Sequence, residues 1–181
     1  MVSSNTSAEK VTVEHVTIRS ANTFAAVRAA LEMLVPRLDD GYATLLRFGL
    51  PDRARQELEA AATLSIFAYR DHGGLLAIAG LQRQAVQYDI GNPLTASLMT
   101  RHKLSAALYA PIRVLLRESP EGEVVFEYDR PVSTFGQFGD ESVDIVARKL
   151  DENLENVLRK AANQLRPTNS RFSACGKKAA R

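Results

Sequence analysis

The sequence predicts an α+β domain, an antiparallel-rich sheet of about five strands packed against a long C-terminal helix and an N-terminal helix. Three observations carry this expectation. Short segments rich in β-branched and aromatic residues alternate with Gly, Pro and Asn turn signals. Ser119-Pro120-Glu121-Gly122 joins two of them as the best antiparallel hairpin signal in the chain. Beyond Asp140, apolar residues recur every three or four positions as far as Leu165, the period of one long helix face.

The first strand is expected over roughly 10 to 19, from Val11, Val13, Val16 and Ile18, with a phase break at Glu14-His15 that suggests a bulge. Ser20 to Thr23 offer capping side chains ahead of Phe24, Val27, Leu31, Leu34 and Leu38, one apolar stripe on a helix whose last turn Pro36 disturbs. Leu50-Pro51-Asp52 opens a second helix over Arg53 to Ala62, peripheral because Ala54, Leu58 and Ala61 make only a thin apolar face. Leu64 to Tyr69 is a strand with apolar groups on both faces, so both faces should be covered. Between Gly73 and Gly80, the run Leu75 to Ala79 fits either a hairpin strand or a short helix, since periodicity does not separate the two at this length.

Ala85 to Ile90 is expected as a strand ending at Gly91-Asn92-Pro93, followed by a short helix from Leu94 to His102. Ile112 to Arg117 and Val124 to Tyr128 form the hairpin. Asp140 caps the final helix, which buries Val143, Val146, Leu150, Leu154, Val157, Ala161 and Leu165. Asp144 with Arg148 and Glu155 with Arg159 are i,i+4 pairs for its wet side, and Pro167 ends it.

A chain of 181 residues, 45% of them hydrophobic, is of a size to bury one core. Residues 1–9 read as a disordered start, 10–166 as the single domain and 167–181 as a basic, disordered tail. A net charge of +2 is too small to imply a nucleic-acid or membrane partner. The basicity belongs to the C-terminal end, where Arg166, Arg171, Lys177, Lys178 and Arg181 stand without an acidic residue among them. The single cysteine, Cys175, excludes an intramolecular disulfide or a Cys-based zinc cluster within one chain and suits a reducing compartment. With no apolar run of about 20 residues and no apolar signal core, a cytoplasmic location is expected.

Asp71-His72 ends one strand, small residues lead to Gly80-Leu81, and Gly91-Asn92-Pro93 ends the next. Leu98-Met99, Tyr109-Ala110-Pro111-Ile112 and Tyr128-Asp129-Arg130-Pro131 follow. In order and spacing, from about Leu64 to Pro131, these pieces resemble a bacterial family catalogued only as domain of unknown function 302. The resemblance implies a fold of the type first described for the TATA-binding protein: a strand, a helix, four more strands and a closing helix. It implies no DNA binding, because unrelated functions share folds. It favours a helix over Gly73 to Gly80, and it brings no reaction and no catalytic residues. Ile90 departs from the pattern, standing where an aromatic often precedes Gly-Asn-Pro, and Arg53 to Ala62 reads as an inserted helix.

Three places could carry chemistry. Asp71 and His72 could serve a ligand or an acid–base step, or simply cap the helix that follows; adjacent strand residues face opposite ways, which separates the two side chains. Gly91 and Asn92 precede a helix start whose free N–H groups could hold an anion, or they form a turn. Phe135 and Phe138, set among glycines, are either a lid or a buried plug. His15, His72 and His102 have no local ligand spacing, so no metal is expected, and no cofactor motif occurs. The resulting expectation is a small-ligand-binding or regulatory domain with one pocket near Asp71, His72, Gly91, Asn92, Phe135 and Phe138, taking a small-molecule or anionic ligand. The alternatives are a small enzyme using His72 as general acid or base, and a module that forms a homodimer.

Overall fold

The computed structural model describes residues 5–164. The basic tail, Pro167 and Cys175 lie outside them. Five strands form one antiparallel sheet: β1 (His15–Ser20), β2 (Ser65–Asp71), β3 (Ala85–Gly91), β4 (Ile112–Glu118) and β5 (Val124–Asp129), in the order β1-β5-β4-β3-β2. The hairpin at Ser119 to Gly122 sets the β4–β5 register, with Leu116 opposite Phe126. Because side chains alternate, the row Ile18, Phe126, Leu116 and Val86 faces one way along with Val114, Tyr128 and Tyr88, and all are buried.

Among the described residues, helices cover that face alone. Thr23 caps α1 (Phe24–Leu34), whose Phe24, Val27 and Leu31 are buried, and Pro36 follows its end. Asp140 accepts hydrogen bonds from the Ser142 and Val143 N–H groups and starts α7 (Glu141–Asn163). Val143, Ala147, Leu150, Leu154 and Leu158 of α7 form the stripe that closes the core, and α7 runs against α1. The Glu155–Arg159 ion pair forms at 2.6 Å.

Several expectations need correction. β1 begins at His15, and its ladder with β5 runs unbroken from His15 to Ser20, so Glu14-His15 marks the strand start and not a bulge. The one shift in register lies in β2, between Ile66 and Ala68. β2 is an edge strand, and its exposure rises toward Asp71; among the described residues, no element forms a layer on its second face. A helix that was not anticipated, α2 (Gly41–Arg47), precedes α3 (Pro51–Ala60), and α3 buries only Ala54, as its thin apolar face requires. Gly73 to Gly80, left open between strand and helix, is helical as the family resemblance favours, with α4 (His72–Leu75) and a 3-10 turn, Leu76–Ala79. After β3 come α5 (Pro93–Thr100) and a 3-10 turn, Leu104–Tyr109; after β5 comes α6 (Pro131–Phe135).

Candidate functional site

Where β3 ends and β4 begins, the sheet and α5 leave a pocket of about 310 Å³. Phe67, Ile90, Met99, Pro111, Ile112 and Leu150 give it apolar walls. Gly91 lies on its surface, and a Cβ there would stand 3.5 Å from both Phe67 and Pro111. A methyl group fits, whereas a longer side chain would enter the pocket.

Asn92 borders the pocket but is committed to the fold. Its Oδ1 accepts from the N–H groups of Leu94 (2.8 Å) and Thr95 (3.2 Å), and its Nδ2 donates to the Ala62 carbonyl (3.2 Å). Pro93 has no N–H, and Ala96 N–H donates to the Asn92 carbonyl at 3.0 Å. The first turn of α5 therefore has no amide left for an anion, although its position looks suited to one.

Asp71 and His72 sit elsewhere. Antiparallel β2 and β3 pair Ser65 with Gly91 and Asp71 with Val86, so the two strands finish at opposite ends of the sheet. The six-residue span between those pairs separates the ends by about 20 Å. The Asp71 carboxylate accepts from Gly74 N–H (2.8 Å) and caps α4, while His72 Nε2 meets Gln87 Oε1 at 3.0 Å. Phe135 is fully buried, and Tyr109 packs edge-on against it and Phe138, with ring centres 6.4 and 6.0 Å apart. The two phenylalanines plug the core near the Gly91 end without lining the pocket. The six expected site residues thus occupy three stations, and only Gly91 and Asn92 adjoin the pocket.

Two arrangements escaped sequence reading. On the open face of the sheet, His15 Nδ1 lies 3.1 Å from Asp129, and the pairs Arg117–Glu127 (2.5 Å) and, toward the other edge, Arg70–Asp89 (2.8 Å) share that face. The His–carboxylate contact joins residues far apart in the chain, so no local spacing announces it. Its members are both more than half exposed. The Arg117 guanidinium holds the Glu127 carboxyl below its ordinary range.

On the covered face, Arg130 reaches Asp151 (3.1 Å), Glu155 (3.2 Å) and Glu14 (3.0 Å). The bond to Asp151 is the first cause that keeps Arg130 charged. Asp151 itself is pushed up, because burial outweighs that same bond and Glu155 and Glu14 add repulsion. Arg130 has three carboxylates to serve it, while Asp151 has one arginine and two rivals. The Tyr128 hydroxyl is pushed up to about 12, by burial first and then by Glu155 and Asp151. Tyr128 Oη and Asp151 Oδ1 are buried without a hydrogen-bond partner among the described residues. Among those residues, no three His, Cys, Asp or Glu side chains gather closely enough to hold a metal ion, and no helix is long and apolar enough to cross a membrane.

The family model described as "Domain of unknown function DUF302" matches residues 51–161, more than half of the chain. The chain belongs to the DUF302 family. A solved DUF302 structure, that of an uncharacterized conserved protein from Bacillus stearothermophilus, superposes with a TM-score of 0.60 at 15% identity, covering 81% of this chain and 97% of that one. At that identity the likeness shows the fold alone. No curated protein matches the chain. The span shared with the DUF302 family takes in every wall of the pocket, the capped starts of α4, α5 and α7 and the Tyr128 to Pro131 segment, while β1 and α1 precede it.

Proposed function

We propose that this DUF302 domain binds a small molecule in the pocket at the Gly91 end of the sheet. The observation that carries the reading is the pocket itself: about 310 Å³ between β3, β4, α5 and α7, at the lower bound of the size that holds small ligands. Ile90 and Ile112 come from central strands and Leu150 from the closing helix, so the cavity is preformed. In this reading Gly91 supplies the space and Asn92 holds α5 in place. Phe135 and Phe138 plug the core near it, and Asp71 and His72 belong to the opposite end of the sheet. An acid–base role for His72 is the weaker reading, since Asp71 is committed to Gly74 and, among the described residues, the hydrogen-bond partner of the imidazole is the Gln87 amide.

Ala96 faces the pocket from a half-buried turn of α5, so Ala96→Phe should fill the cavity at little cost to the core. Protein purified from its own cells should carry a small-molecule mass in native mass spectrometry. Ala96→Phe should lose that mass while keeping the parent's melting temperature to within a few degrees. An identical set of bound masses in a folded Ala96→Phe protein would refute the reading.

A further inference from the structure

The lining of the pocket restricts what it can accept. Its residues are Phe, Ile, Gly, Asn, Pro, Thr, Ala, Ser, Met and Leu, with no Asp, Glu, Lys, Arg or His among them. A charged ligand entering such a cavity gives up hydration and receives no counter-charge in return. The usual remedy for an anion, the start of a helix, is closed: the N–H groups of Leu94, Thr95 and Ala96 are all taken by Asn92, and Pro93 has none. The remaining side-chain polar groups are mostly occupied as well. Both ends of the Asn92 amide are used, and Ser97 Oγ donates to the Leu94 carbonyl at 2.7 Å. Thr100 Oγ1 leans on the Ser97 carbonyl at 3.5 Å. Among the described residues, the Thr95 hydroxyl is the lining group with no such engagement.

We infer that the ligand is an uncharged, largely apolar small molecule whose single hydroxyl or carbonyl group meets Thr95. This rests on the pocket being the binding site, and it names the chemical class that site takes. An anionic ligand, which the Gly91-Asn92-Pro93 sequence suggests when read as a free helix start, is the class the geometry disfavours.

The test uses three probes with the same ring system: naphthalene, 2-naphthalenemethanol and 2-naphthoate. Each is titrated into the isotope-labelled protein near neutral pH while backbone amide shifts are followed. The alcohol should perturb residues 91–100 and 110–112 and bind more than about tenfold tighter than the carboxylate. Thr95→Val should weaken the alcohol several-fold and leave naphthalene unchanged, which separates the hydroxyl's role from general packing. Ala96→Phe should abolish the perturbation at those residues for every probe. If the carboxylate binds there as tightly as the alcohol, the inference of an uncharged ligand is overturned while the pocket remains the binding site. If no probe perturbs those residues, the pocket reading fails and the inference fails with it.

Discussion

Burial works against the Asp151 carboxylate, and the consequence can be measured. Its folded-state pKa lies above the ordinary value, so between the two values the folded protein holds more protons than the unfolded chain. The stability this group contributes is full below the unfolded value and is lost as pH rises through the folded one. Asp151→Asn removes that loss while keeping an acceptor for Arg130. The variant should therefore unfold at a higher denaturant midpoint than the parent near pH 7, and the advantage should shrink as pH falls to about 4. A variant less stable than the parent near pH 7 would show that the Arg130 bond outweighs burial. Nothing in the sequence announces this residue, which sits inside an otherwise regular helix pattern; only the approach of β5 to α7 buries it. Asp71 and Asn92, by contrast, are legible as caps from residue type and position alone, because a helix start needs such acceptors whatever the tertiary fold.

At the scale of elements, long patterns were readable and short ones were not. The α7 stripe repeats over six turns, so its period is unambiguous, and Leu154 falls at its centre with no exposure. Leu154→Asp places a charge where no partner exists, at a cost of several kcal/mol, and should abolish the cooperative unfolding transition. A soluble variant with a sharp transition would mean that the stripe is dispensable to the core. The α2 helix went unread because its residues have no buried side chain and hence no apolar period to detect. β2 misled for a different reason. Its apolar residues on both sides suggested two covering layers, but the irregularity between Ile66 and Ala68 breaks the alternation: Ile66 and Tyr69 pair with the buried Ile90 and Tyr88 on the covered face, and Ala68, opposite Asp89, is left for the other.

For the whole molecule, the antiparallel topology decides which residues can act together. Asp71 and Gly91 both end strands, and two consecutive strand ends look like one site when strand direction is ignored. Because β2 and β3 run in opposite directions, their ends point apart, and the proposed pocket inherits only the Gly91-Asn92 half of the expected constellation. The count and kind of strands were legible from the hairpin and the turn signals, but the placement of a site needed the pairing. This arrangement makes a quantitative prediction about coupling. Asp71→Ala removes the cap of α4 and Asn92→Ala the cap of α5, and each should lower stability by about 0.5–2 kcal/mol. Groups about 20 Å apart with no shared partner should be energetically independent, so the double variant should lose the sum of the two to within about 0.5 kcal/mol. Chemical denaturation of the four proteins closes the cycle. A coupling energy above about 1 kcal/mol would mean that the two strand ends communicate, either through a shared site or through the β2–β3 ladder, and the separation of the pocket from Asp71 and His72 would have to be abandoned.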